Sequence, residues 1–399
     1  MTQLYGKQYL MTAGPTPLPP AVSQVMAEPI LYHRAPAFVE VYARVLERLK
    51  MVFQTRNEVL TFAASGSGAM ESAVANLIAP GDVAVVASAG KFGQRWAELC
   101  DAYGADTVHL ETEWGEKVDP AEVDRALADR GGQAKALFTT QSETSTGVLN
   151  DVRALAEVAA SHGAISVFDA VSGLGVIDLP TDEWGVDAVV SGSQKALMCP
   201  PGLAFAAVSD RALAVAADAR ARGARNYYFD WERTLKGQRK DPPDSPFTPA
   251  VTLIRALDVA LRLIEDETLQ GVFERHTVLG RAAREAVKAM GLELFGPEDE
   301  QANVVTVART PDGIDGAALP KTMRDKFGIT IAGGQGHLKG KIVRIAHCGY
   351  YGAFDVLTSI AGLEMALDEL GHDVTFGAGT AAAQEVFARA GIRAAQPVG

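Results

Sequence analysis

Val189-Val190-Ser191-Gly192-Ser193-Gln194-Lys195-Ala196-Leu197 places a lysine directly after an apolar run and a small Ser/Gly turn. In an open α/β sheet the carboxyl end of a strand is where ligands meet the chain. An amine there can hold an aldehyde as a Schiff base; the alternative is one more solvated lysine, as most lysines are. The flanking residues do not decide between these, so the rest of the chain must.

Upstream, short β-rich runs alternate with helical periodicity. After a helix over 38–53, the pattern predicts strands over 59–63, 83–87, 107–110, 136–140 and 165–168. Helices over 69–78, 92–103, 120–128 and 152–161 separate them. Such alternation implies βαβ crossovers and a mostly parallel sheet covered on both faces. Runs over 188–191 and 203–208 flank the Lys195 segment, and their short separation favours an antiparallel pair.

Residues 11–20, Met-Thr-Ala-Gly-Pro-Thr-Pro-Leu-Pro-Pro, are too proline-rich for a helix and read as an extended arm along a neighbouring subunit or a site rim. A proline-rich loop over 241–249 precedes a long helix over 250–266. The expected division is an arm over 1–20, a large cofactor-binding domain over 21–267, a small C-terminal domain over 268–372, and an appended helix and tail over 373–399. A chain of 399 residues, 48% hydrophobic and 22% charged, has the length and composition for such packed cores.

A net charge of −12 argues against a nucleic-acid partner, whose phosphates need a basic face. Three scattered cysteines and dispersed histidines, with no CxxC or HExxH, leave no disulfide framework and no metal reading. No apolar run reaches the ~18 residues of a membrane span, and no signal peptide is evident, so a cytoplasmic protein is expected.

Several constellations carry chemistry. Ser65-Gly66-Ser67-Gly68 lies between a strand and a helix, where converging N–H groups and the helix dipole suit a phosphate monoester, although a capped tight turn has the same composition. Asp169 ends an apolar strand, a costly place for an acid without a cation or donors. Ser142-Glu143-Thr144-Ser145-Thr146-Gly147 clusters hydroxyls after a strand, and Phe92 opens a helix where it can stack on a flat ring or simply pack. Arg344, inside an apolar strand, calls for a bidentate anion, either a ligand carboxylate or a structural partner.

Taken in order, Ala13-Gly14-Pro15-Thr16-Pro17, Ser65-Gly66-Ser67-Gly68, Glu143-Thr144-Ser145-Thr146-Gly147, Asp169-Ala170-Val171, Ser191-Gly192-Ser193-Gln194-Lys195 and Arg344 resemble the fold-type I pyridoxal-phosphate enzymes. More narrowly, they resemble class V aminotransferases of the alanine/serine–glyoxylate or pyruvate group, over nearly the whole chain. The resemblance implies a mostly parallel seven-stranded sheet flanked by helices, a smaller α+β C-terminal domain, and pyridoxal 5′-phosphate as cofactor. It implies that Lys195 holds the cofactor aldehyde and that Asp169 pairs with its ring nitrogen, making the ring an electron sink. It places Phe92 against the ring, Thr144 at its polar rim, Ser65, Gly66, Ser67 and Gln194 at the phosphate, and Arg344 at the substrate carboxylate.

Thr248 matches a phosphate contact that relatives supply from a neighbouring subunit, which implies a homodimer with shared sites. Three positions earlier some relatives carry a tyrosine where this chain has Ser245; Tyr227 and Tyr228 are candidate replacements. The implied reaction is ping-pong transfer of an amino group from alanine or serine to glyoxylate or pyruvate. Aspartate or aminophosphonate transamination, a desulfurase-like reaction at Cys348, and a non-catalytic partner subunit are the competing readings.

Overall fold

The computed structural model describes residues 6–391, so the ends of the arm and tail, 1–5 and 392–399, lie outside the described residues. Its centre is a seven-stranded sheet ordered Val59–Phe62, Ala204–Val208, Ala188–Gly192, Ile165–Asp169, Ala134–Thr140, Val83–Ser88 and Asp106–Glu111. Ala204–Val208 runs antiparallel to both neighbours, and the other adjacent pairs are parallel. This is the mostly parallel, helix-flanked sheet that the alternating pattern requires.

Side-chain alternation along the strands sends residues into two separate apolar layers. Leu137, Phe168, Val189 and Phe205 pack with the helices Pro36–Phe53 and Val251–Glu267. Phe138, Val167, Val190 and Leu60 pack on the other face with Trp96 and the helix Gly66–Leu77. The edge strand Asp106–Glu111 is less buried and has polar ends, which blunts an otherwise open edge.

A second core forms around the antiparallel strands Val305–Arg309, Ile342–Ala346 and Ala332–Gly333, with the helices Leu269–Ala289, Ala318–Phe327 and Ala353–Glu369. The arm joins this core: Tyr9–Leu10 pairs in parallel with Ile329–Thr330, and Met11 and Ala13 are buried in it. Pro20 departs from the sequence reading, because it opens the helix Pro20–Met26. At a first helical position its missing N–H removes no intrahelical bond.

The C-terminal helix Ala378–Ala390 packs Ala383, Val386 and Phe387 into the same core. Its start is held by the buried Glu364 carboxylate, which accepts from the N–H groups of Gly377 at 3.0 Å, Gly379 at 2.8 Å and Thr380 at 3.4 Å. These are helix-start donors that would otherwise lack partners. Among the described residues no helix is long and apolar enough to cross a membrane.

Glu364→Ala should therefore destabilise the protein by about 1–3 kcal/mol, the usual cost of orphaned buried donors. Urea unfolding followed by circular dichroism measures this, and an unchanged midpoint would show that the cap contributes nothing.

Candidate functional site

The parallel strands deliver their carboxyl ends, Phe62, Ser88, Thr140, Asp169 and Gly192, to one edge of the sheet. The second apolar core reaches this edge, since Ala196 and Val176 belong to it. Ligand chemistry gathers at such an edge because loop backbones and helix N-termini are exposed there.

Lys195 sits one turn beyond the strand Ala188–Gly192, and its backbone is pinned from several sides. The Thr16 hydroxyl donates to the Lys195 carbonyl at 2.9 Å, and the Thr16 N–H donates to the Gln194 carbonyl at 3.2 Å. The Ser193 hydroxyl donates to the Pro200 carbonyl at 2.5 Å. The Lys195 amine donates to the Ala13 carbonyl, so the arm crosses the site. Gly14, at φ +127°, lies where a Cβ would come within 2.5 Å of Lys195 Nζ, leaving room for no side chain. Loss of hydration lowers the amine's pKa below 10.5, and the Arg344 cation adds to this, while Cys348 and Asp169 oppose it.

The anion side is built from Ser65, which precedes the helix Gly66–Leu77 without capping it by its side chain. The N–H groups of Gly66 and Ser67 have no intrahelical acceptor. Gly192 approaches them closely, for a Cβ there would lie 3.3 Å from the Gly66 nitrogen. The buried Gln194 Oε1 has no hydrogen-bond partner among the described residues. Uncapped N–H groups fit a phosphate monoester, to which the Gln194 amide can contribute only through its Nε2 donors, since Oε1 is an acceptor.

Phe92 lies in the first turn of the helix Lys91–Ala102, held by Glu143 rather than by apolar contact alone. Glu143 Oε2 accepts from the N–H groups of Phe92 at 3.0 Å and Gly93 at 2.9 Å, and Oε1 accepts from the Ser145 N–H at 3.0 Å and its hydroxyl at 2.6 Å. Burial pushes the Glu143 carboxyl up, and these four donors pull it back down. The Ser145 hydroxyl also accepts from the Lys91 N–H at 3.0 Å.

Asp169 closes the strand Ile165–Asp169, beside Thr140 and Val190 in register. One carboxylate oxygen accepts from the Val171 N–H at 2.7 Å. Burial raises its pKa to about 6, with Glu143 adding to the rise and the Val171 bond, Arg95 and Lys195 opposing it. A carboxyl this poorly solvated gains from a protonated ring nitrogen beside it.

Arg344 is 7% exposed. Its Nε donates to the Gly333 carbonyl at 2.9 Å and its Nη1 to the Thr144 carbonyl at 2.8 Å. No carboxylate lies within ion-pair distance of it among the described residues. Burial lowers its pKa and the Glu143 carboxylate opposes this, yet guanidinium groups stay charged in proteins, so a buried cation stands there without an ion-pair partner.

The structure thus gathers Lys195, Asp169, Gln194, Thr144 and Arg344 along one edge with the Ser65–Gly68 turn and Phe92, and the residues fit a phosphorylated aromatic aldehyde. The Thr144 hydroxyl lies 3.4 Å from that of Ser172. Thr248 is exposed and, among the described residues, hydrogen-bonds to no side chain. Cys348 is fully buried, its thiol pushed by burial to about 11, which disfavours a thiolate nucleophile. Sequence reading missed the clamp made by Glu143 and the contact of the Ala13 carbonyl with Lys195. An acid set among hydroxyls directly after a buried strand was the available signal for the first; nothing local marked the second.

The family described as Aminotransferase class-V matches residues 8–347. A protein named soluble hydrogenase, small subunit, from Synechococcus sp. is 42% identical over 387 residues, covering 96% of this chain and 99% of that one. A serine–glyoxylate aminotransferase from Methylorubrum extorquens is 36% identical over 391 residues, with 96% of each chain covered. The crystal structure of a ureidoglycine–glyoxylate aminotransferase from Bacillus subtilis superposes with a TM-score of 0.91 at 33% identity, covering 97% of this chain and 100% of that one.

The Asp169 environment gives a pH-dependent outcome. Its folded-state pKa of about 6 exceeds the ordinary 3.8, so its stabilising contribution is present below 3.8 and lost as pH rises through about 6. The cofactor-free Asp169→Asn protein should exceed cofactor-free wild type in stability at about pH 8 by up to about 3 kcal/mol, a gap that closes near pH 4. Urea titrations at both pH values check this; a gap independent of pH would contradict it.

Proposed function

The chain belongs to the class-V aminotransferase family, and from that premise we propose that it moves the amino group of alanine or serine to glyoxylate or pyruvate by ping-pong turnover. It is a pyridoxal-phosphate-dependent transaminase; the choice of substrates is the proposal. Pyridoxal phosphate, when bound, supplies an aldehyde for an amino group and a ring that accepts electron density from the substrate's α-carbon.

The chain's own residues supply the rest. Ser65, Gly66, Ser67 and Gln194 would hold the phosphate, Phe92 and Thr144 the ring, and Asp169 would keep a proton on the ring nitrogen. Lys195 Nζ, desolvated and beside Arg344, is deprotonated more readily than a surface lysine. It can therefore take the proton from the substrate's α-carbon as a general base.

The observation that carries this reading is Arg344: a buried guanidinium without an acidic partner. Such a cation is costly until an anion joins it, and an α-carboxylate matches its forked donors. The glyoxylate in the names of two relatives supports that acceptor. Thr248 is exposed, which suits a homodimer in which each subunit lends this hydroxyl to its partner's site. A cytoplasmic location fits this reading.

One relative's name favours a second reading, a subunit of a hydrogenase assembly. Retention of Lys195, Asp169 and Arg344 in one site supports turnover instead. A colourless protein that fails to bind pyridoxal phosphate would favour the second reading.

A panel of amino donors against glyoxylate, pyruvate and 2-oxoglutarate should give the highest kcat/KM with alanine or serine and glyoxylate or pyruvate. Aspartate as the sole effective donor would contradict this. Arg344→Ala should raise KM about 10- to 100-fold for every carboxylate substrate, as loss of a charged hydrogen bond does; a normal KM would make Arg344 structural.

A further inference from the structure

Arg95 lies one helical turn beyond Phe92 on Lys91–Ala102, which puts both side chains on one face. Its Nη1 donates to the Ser67 hydroxyl at 2.9 Å, and its guanidinium carbon sits 5.2 Å from the centre of the Phe92 ring. It therefore joins the anion-binding turn to the aromatic that faces the ring.

Several other arginines in this acidic chain meet acids: Arg48 with Asp258, Arg211 with Asp187, Arg222 with Asp82 and Arg275 with Glu267. Arg95 has no carboxylate within ion-pair distance among the described residues. Glu71, one turn along the helix from Ser67, is engaged by the Tyr103 hydroxyl at 2.9 Å. The half-buried Arg95 cation instead faces the start of Gly66–Leu77, the positive end of a helix dipole. Two positive features converging on one turn, with Asp169 near enough to feel Arg95 but no carboxylate in ion-pair contact with it among the described residues, favour a multiply charged anion there.

The Ser67 hydroxyl can accept from Arg95 and still donate its own proton onward. A cation against the face of Phe92 also restrains the ring's tilt. We propose that Arg95 is a positioning residue for the cofactor phosphate, orienting the Ser67 hydroxyl toward it, supplying positive charge to the turn and fixing the Phe92 ring. This rests on pyridoxal phosphate being the cofactor and adds a residue that acts on its phosphate through Ser67.

The test is equilibrium titration of the cofactor-free protein, followed by absorbance, with pyridoxal phosphate and with pyridoxal, which has the same ring and aldehyde but no phosphate. Arg95→Gln should bind pyridoxal phosphate about 10- to 100-fold more weakly than wild type, the loss expected for a charge-assisted contact. The same substitution should change pyridoxal binding by less than about 3-fold. Arg95→Lys, which keeps the charge, should lose less than Arg95→Gln, and near-UV circular dichroism of both should match wild type. Equal losses for the two ligands, no loss, or an Arg95→Lys loss as large as that of Arg95→Gln would overturn the proposal. Wild type binding neither compound would instead overturn the cofactor assignment, a result separable from failure of Arg95.

Discussion

The Lys195 amine is largely desolvated, and the rest of the site answers to that constraint. An amine inside a protein is costly to charge, so it gives up its proton more readily where packing limits its contact with solvent. Here that shielding comes from three separate parts of the chain. The arm lays Ala13 and Gly14 against the side chain, the Ser193–Leu203 turn fixes its backbone, and the second apolar core buries the neighbouring Ala196.

The same low-polarity setting shapes its neighbours. Asp169, Glu143 and Arg344 all have pKa values displaced chiefly by burial. Each has a different remedy within the chain. Glu143 is supplied with four donors and becomes a structural clamp for the Phe92 turn. Asp169 has a hydrogen bond from Val171, and Arg344 has two carbonyls and no anion. Satisfied groups hold the frame, and unsatisfied ones await ligand atoms; this separates clamp from binding site among residues of similar burial.

Most of the seven-stranded sheet and its flanking helices was legible because these elements carry their own periodicity: the helices Pro120–Ala128 and Val152–Ser161 end where the sequence pattern ends. The antiparallel Ala188–Gly192 and Ala204–Val208 pair followed from chain length alone. The helix Trp231–Gln238 was not foreseen, since its identity depends on Trp231 meeting the Ser72 hydroxyl and Asn76, more than 150 residues away in sequence. The candidate site residues were legible as types, most of them just after strands and Arg344 within one. Their partners were not, because the contacts of Ala13 with Lys195 and of Arg95 with Ser67 join segments whose separation no local pattern encodes.

The central claim is that Lys195, and no other amine, carries the cofactor. The direct measurement is to load the protein with pyridoxal phosphate, reduce it with borohydride, digest it and map the modified peptide by mass spectrometry. The account requires the added mass on the peptide containing Lys195 and on no other. Attachment to a different lysine, or release of all the cofactor on denaturation after reduction, would contradict it.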